Sequence, residues 1–227
     1  MLRELSRVAL VDRTLTEVLT DITRIAAAGI PGSESTSITL IRDDKPFTAA
    51  YSSEMALAAD ELQYAKGYGP CMDAGRGGVL LRIDDTQTEE RWPDYVRHAQ
   101  EEAGVRSSLS VPLPYQGSSI GALNNYSSKP AAFATPESLR AGLEVAEIVA
   151  VTVANADAHW KLGEQARNMR IAMDSRAVIE QAKGVLMAQR HVDAEQAFEI
   201  LREASQRYNR KLRDIPSGIV DGTQKAR

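Results

Sequence analysis

The sequence contains a single cysteine, Cys71, in 227 residues. One thiol cannot build a disulfide framework or a Cys-rich zinc site. Histidine is nearly as scarce. His98, His159 and His191 lie far apart and share no ligand spacing with Cys71, so no metal site is expected. No apolar run approaches the length of a membrane span, and Met1-Leu2-Arg3-Glu4 does not open a signal peptide. A soluble, cytoplasmic protein with no membrane partner is expected. There is no phosphate loop, no Ser/His/Asp arrangement in a recognisable order and no histidine phosphorylation box, so neither an enzyme nor a bound cofactor is expected. Strong charge of one sign is missing too. With 27 basic against 31 acidic residues the net charge is −4, which excludes a chain coated in cations but not a local basic face.

Apolar residues make up 43% of the chain and charged residues 26%, a balance that supports a packed core. The charge is unevenly spread. Residues 157–227 hold 13 basic and 10 acidic side chains, whereas the 156 before them hold 14 and 21. This asymmetry points to two modules with different partners.

Residues 2–28 read as an amphipathic helix, with Leu15, Val18, Leu19, Ile22, Ile25 and Ala26 at three- and four-residue spacing. Strand-like runs follow at 36–42 and 46–52, then an Ala-rich helix at 54–65 and a short strand at 79–83. A helix at 91–103 ends on Gly104, and an antiparallel pair is expected at 105–113 and 118–126. This mixed order predicts an α+β domain around one antiparallel sheet flanked by helices. From Glu137 to Ile215 there is no proline. Leu139, Leu143, Ala146, Ala150, Val153, Asp157 and Trp160 are spaced as a heptad seam, which predicts a long connecting coiled-coil helix. A helix packed only against its own sheet is the simpler alternative.

The last fifty residues carry the sharpest pattern. A helix is expected at 176–190, with Val178, Ile179, Ala182, Val185 and Leu186 on one face. His191 and Val192 form a turn, and Asp193 with Gln196 has the form of a capping box. The next helix, 194–212, places Ala197, Phe198, Leu201, Ala204, Ser205, Tyr208 and Leu212 on one stripe. Asp214 could cap a third short helix ending at Gly222. These three helices are expected to pack around Phe198. Near the end of the second lie Arg207, Arg210, Lys211 and Arg213, with Gln206 and Asn209 interleaved and no acid from Gln206 to Arg213. Cations there complement a helix dipole; with amides they also suit a nucleic-acid backbone with exposed bases. Gly184, mid-helix beside Lys183, costs roughly 1 kcal/mol against Ala, which points to a close approach by a neighbouring helix or a ligand.

Arg176, Ala182, Lys183, Gly184, Leu186 and Met187, followed by Ala197, Phe198, Leu201, Arg202, Ser205, Asn209, Arg210, Lys211, Leu212, Arg213, Asp214 and Ile215, resemble the ANTAR domain. The resemblance implies a three-helix RNA-binding module that acts in transcription antitermination on paired stem-loops of nascent leader RNA. Its expected contacts are Lys183, Gly184, Arg202, Gln206, Asn209, Arg210, Lys211 and Arg213. Pro216-Ser217-Gly218 departs from the family's small, helix-favouring run, so a frayed third helix is expected. The stretch from Gly67 through Gly69, Pro70, Cys71, Asp73 and Ala74, with Ile83-Asp84-Asp85, Arg91-Trp92-Pro93, Gly104 to Ser107, Pro112-Leu113 and Gly121 to Tyr126, resembles a GAF domain of the subtype that precedes ANTAR domains in actinobacterial regulators. That implies a sensory or dimerising fold with room for an unknown small-molecule ligand. Cys71 as a redox sensor and Trp92 as a ligand-stacking ring are candidates; a buried inert thiol and a core ring are the simpler readings.

The expected organisation is thus a GAF sensory or dimerisation domain at 1–156, a helical linker at 157–175 and an ANTAR domain at 176–227, assembled as a homodimer. A DNA-binding regulator and a GAF scaffold with a degenerate ANTAR tail are the alternatives. A sulfoxide-reducing GAF enzyme would need several cysteines, and this chain has one.

Overall fold

A computed structural model describes Met1, Leu5 and residues 13–215, with the side chains at 159–161 and 163 excepted. The chain divides into two compact units, Met1–Ala158 and His159–Arg227.

In the first unit, helix α1 (Leu15–Gly29) opens on a capping box in which Thr14 and Glu17 satisfy each other's backbone amides. The part of the expected helix before Arg13 lies outside the described residues, Leu5 apart. Strands β1 (Ser35–Arg42) and β2 (Lys45–Tyr51) form a hairpin. Helices α2 (Glu54–Lys66) and α3 (Pro70–Gly77), strand β3 (Leu81–Ile83), helix α4 (Pro93–Ala103) and strands β4 (Ser107–Tyr115) and β5 (Ser118–Ser127) follow. The five strands form one antiparallel sheet in the order β2-β1-β5-β4-β3. The α+β architecture expected from the sequence is the one observed.

Strand alternation gives the sheet two chemically different faces. Ile38, Leu40, Leu109, Val111 and Leu123 point to one side, where Val18, Leu19, Ile22 and Ala26 of α1 close the core together with Val145, Ala146, Val149 and Val153. The latter belong to helix α5, a continuous element from Pro136 to Arg190. The opposite face carries Ser37, Thr39, Ser108, Ser110, Asn124 and Tyr126 and is covered by α2, α3 and α4 through Ala56, Ala59, Cys71, Tyr95 and Ala99.

The heptad expectation for α5 requires correction. Ala146, Ala150 and Val153 of the proposed seam are buried against the chain's own sheet, whereas Leu143 and Asp157 are exposed. The first half of the seam is a core stripe, because a helix lying on a sheet buries about a third of its circumference at the same three- and four-residue spacing. Among the described residues, the large apolar side chains that do face water along α5 are Leu143, Val151, Leu162, Met169, Ile171, Met173 and Met187. Trp160 falls where side chains are not described.

In the second unit, α5 ends at Arg190. After a turn through His191, helix α6 (Ala194–Arg207) starts on the predicted Asp193–Gln196 capping box. Its core differs from the expected one. Ala182, Leu186, Ala197 and Leu201 are the buried centre, with Ile179, Val192, Ile200, Leu212 and Ile215 around them, while Phe198 is 37% exposed. Successive helical residues are 100° apart, so aiming Ala197 and Leu201 at α5 turns Phe198 to the rim. Tyr208, placed on the buried stripe by the sequence pattern, is exposed as well. Asp214 and Ile215 are helical; the remainder of the expected third helix, with Pro216-Ser217-Gly218, lies outside the described residues.

Candidate nucleic-acid interface and a buried polar cluster

Helix α6 stops five residues before the sequence pattern predicts. Tyr208 and Asn209 form a turn in which Asn209 adopts a left-handed conformation, φ 49°. Asparagine tolerates that region better than most residues. Ser205 holds the turn closed from both sides: its hydroxyl donates to the Arg210 carbonyl, and its own carbonyl accepts from the Arg210 amide at 3.1 Å. The Tyr208 amide donates to the Ala204 carbonyl at 3.0 Å and so caps the helix. Arg210, Lys211 and Arg213 therefore project from a braced turn rather than from a regular helix.

Arg202, Gln206, Arg207, Asn209, Arg210, Lys211 and Arg213 are all exposed. Arg202 pairs with Glu199 one turn earlier at 2.6 Å, a surface contact of little energetic weight that a polyanion can outcompete. Arg210 donates to the Asp214 carbonyl at 3.4 Å, and Arg213 lies 3.8 Å from the Asp214 carboxylate. Lys183 is different. Its side chain is only 17% exposed and is tied to Glu180 at 3.0 Å. Gly184, beside it, is exposed, and a Cβ built there would meet no atom within 4 Å. Packing by a neighbouring helix does not explain that glycine.

The first unit contains a site that the sequence pattern did not reveal. Asp60, in the Ala-rich helix α2, is fully buried. Its carboxylate accepts from the Tyr126 hydroxyl at 2.6 Å, the Thr48 hydroxyl at 2.8 Å and the Asn124 amide at 3.3 Å. Thr39 and Thr48 in turn lie 2.8 and 3.0 Å from the Tyr64 hydroxyl. Burial raises the Asp60 pKa from 3.8 to about 6, even though the Tyr126 and Thr48 hydrogen bonds favour the ionised form. Around it, Tyr95 Oη, Ser108 Oγ, Ser110 Oγ and Asn124 Oδ1 are buried with no hydrogen-bond partner among the described residues. Two of these are cross-strand neighbours, since Ser110 of β4 pairs with Asn124 of β5. An acid among alanines reads as a solvated helix face, and only the register that sets Tyr126 opposite α2 exposes the cluster.

Cys71 joins this cluster through its backbone. Its amide donates to Gln63 Oε1 at 2.8 Å, and a Cβ at Gly69 would collide with the same Gln63 side chain at 2.5 Å. The Gly67–Cys71 motif is thus a close approach of α3 to α2. The thiol is buried, and burial followed by the Asp60 charge pushes its pKa well above the ordinary value, the reverse of what a redox-sensing thiolate needs. Iodoacetamide at neutral pH should leave Cys71 unmodified in the folded protein and alkylate it in denaturant; rapid labelling of the native chain would contradict the burial. Trp92 is buried, donates from Nε1 to Asp73 at 2.7 Å and is covered by the Arg91 guanidinium 4.4 Å from the ring centroid, an arrangement of a core ring. Two other stretches of the sequence pattern meet as an ion pair: Arg106 holds Asp85 through two hydrogen bonds of 3.0 and 2.7 Å. Among the described residues no group of His, Cys, Asp or Glu could hold a metal ion, and no helix is long and apolar enough to cross a membrane.

A five-stranded antiparallel sheet enclosed between helix layers is thus followed by a small helical unit that carries a cluster of cations. The GAF domain family model matches residues 12–154 and the ANTAR domain model residues 167–220. The chain belongs to the GAF domain family and, with its ANTAR domain, is a GAF–ANTAR regulator. No curated protein matches it. Similar solved structures include the GAF domain of a phosphoenolpyruvate-protein phosphotransferase from Coxiella burnetii, at 18% identity and TM-score 0.54, covering 70% of this chain and 94% of that one. A domain of a putative two-component sensor histidine kinase protein from Sinorhizobium meliloti 1021 matches at 16% identity and TM-score 0.52, covering 66% and 97%. Free methionine-R-sulfoxide reductase from Neisseria meningitidis, in complex with its substrate, matches at 19% identity and TM-score 0.52, covering 68% and 86%. At such identities the likeness is one of fold.

Proposed function

We propose that the chain is a transcription antitermination regulator whose ANTAR domain binds paired stem-loops of leader RNA, under control of its GAF domain. The observation that carries this reading is the braced, acid-free surface from Gln206 to Arg213, on which two amides are interleaved with four exposed cations. Cations neutralise phosphate, and side-chain amides can read the base edges that single-stranded loops present. Arg202 extends the surface along α6, and Lys183 with Gly184 forms its part on α5. Residues 1–156 act as the sensory and dimerising part, 157–175 as the linker and 176–227 as the RNA-binding part. Two copies joined along the exposed apolar side chains of α5 would offer two RNA surfaces, and paired stem-loops would then bind by avidity.

Binding of a two-hairpin RNA and of duplex DNA of the same sequence, followed by fluorescence anisotropy, tests the reading. RNA is expected to bind tighter; preference for the duplex would make the protein a DNA-binding regulator instead. Arg210→Ala with Lys211→Ala should weaken RNA binding by roughly ten-fold and lower the slope of log K against log salt by about 2, with the fold intact. Unchanged affinity would remove the RNA from this surface. Gly184→Ala is expected to stabilise α5 by up to about 1 kcal/mol, because the added methyl meets open space. The same change should weaken RNA binding, since it fills the place where a phosphate backbone comes close; unaltered binding would detach Gly184 from the interface.

The buried cluster supports a second element, a small polar ligand in the GAF domain. Unpaired Tyr95, Ser108, Ser110 and Asn124 atoms beside Asp60 each carry an unmet hydrogen-bonding demand, which a ligand rich in N–H and O–H groups would meet. Such a ligand regulates only if it binds one arrangement of the chain better than another.

A further inference from the structure

We propose that Tyr208 is a stacking platform for an unpaired base in the RNA loop. The proposal rests on the RNA-binding reading above and names a contact that the basic residues by themselves do not supply. The helical repeat of α6 assigns Tyr208 to the buried stripe, yet 65% of it is exposed. What removes it from the core is the turn. With Asn209 at φ 49° and Ser205 bonded to both the amide and the carbonyl of Arg210, the chain leaves the helix at Tyr208 and turns this ring outward.

Its surroundings fit a base rather than a protein core. Gln206 and Arg207 precede it, Asn209, Arg210 and Lys211 follow it, and all five are exposed. A ring among cations and amides offers one base a π-face, while its neighbours offer the flanking phosphates charge and the base edge hydrogen bonds. Because the turn is braced by the Tyr208–Ala204 and Arg210–Ser205 hydrogen bonds, the backbone that carries the ring is ordered before RNA arrives, which lowers the ordering cost of binding. Duplex RNA has no unstacked base to give such a ring, so the platform favours loops over stems.

The test uses the full chain and a synthetic RNA of two linked stem-loops, with each loop base replaced in turn by an abasic site. Tyr208→Ala should weaken binding by about ten-fold, and Tyr208→Phe should stay within about two-fold of the parent, since stacking needs the ring and not the hydroxyl. Tyr208→Ala should also keep the parent slope of log K against log salt, unlike the Arg210→Ala/Lys211→Ala variant. At one loop position the abasic site should weaken the parent by a similar factor and the Tyr208→Ala variant no further. Far-ultraviolet circular dichroism should show the same helix content in all variants. Equal binding by Tyr208→Ala and the parent overturns the platform and leaves the RNA reading standing, as does a loss that abasic substitution does not absorb, or an effect on self-association alone. A parent chain that does not bind the two-hairpin RNA overturns both.

Discussion

Leu201→Ala should destabilise the C-terminal unit by about 2–5 kcal/mol, the range for emptying a fully buried leucine site. The upper part of the range is expected here because the buried centre is so small. Leu201 is fully buried in a cluster with only Ala182, Leu186 and Ala197 beside it at the centre, and the two alanines have no side chain to swing into the space. A core of this size has little reserve, so the unit is expected to unfold near physiological temperature while Met1–Ala158 keeps its own transition. Scanning calorimetry with the two transitions resolved checks this. Phe198→Ala is the informative control: with its ring more than a third exposed, it should cost clearly less than Leu201→Ala. The reverse order would place the centre of the bundle at Phe198 after all.

The second large effect is a pH dependence centred on Asp60. Its folded pKa of about 6 lies above the ordinary 3.8, so between those values the folded chain holds a proton that the unfolded chain has released. Stability from this group is therefore greatest below the lower value, falls as pH rises through the window and is lost above about pH 6. A rise of that size corresponds to about 3 kcal/mol. Glu17, Glu34, Asp85 and Glu89, whose pKa values are lowered by hydrogen bonds from Thr14, Ser128, Arg106 and Arg91, favour the folded chain more as pH rises through the acid range. The measurement is consequently a difference. Urea unfolding of the parent and of Asp60→Asn, each at pH 5 and pH 7, should show the parent losing more stability than the variant on going to pH 7. The variant is expected to be weaker at both values, since its amide brings donors to a place already occupied by the donors of Tyr126, Thr48 and Asn124. Identical pH dependence in the two proteins would mean that Asp60 is not the buried acid described here.

Elements with a clean period or a cap were legible in advance. The β1–β2 and β4–β5 hairpins, α1 and the capping box of α6 follow from alternation, three- and four-residue spacing, and the Asp193–Gln196 pair. Helix α3 was not legible, because Pro70, Gly75 and Gly77 in eight residues resemble a loop, and it is held by burial of Pro70, Cys71, Met72 and Ala74 together with the Cys71–Gln63 hydrogen bond. Helix α6 was read five residues too long. Leu212 keeps the apolar period, but the Ser205–Arg210 clamp ends the helix, and such side chain-to-backbone competition leaves no periodic trace.

The sequence by itself determined most of the elements, where the charge divides and which cations cluster near the end of α6, because spacing, capping and composition are local properties of the chain. Tertiary structure decided which side chains are enclosed. It took Ala146 and Val153 out of a free seam and into the sheet's own core, turned Phe198 and Tyr208 to the surface, and shut Asp60 away among hydroxyls. Burial depends on what lies opposite a residue. Strand register and the rotation of a helix about its axis set that, and neither is a property of any short stretch of sequence.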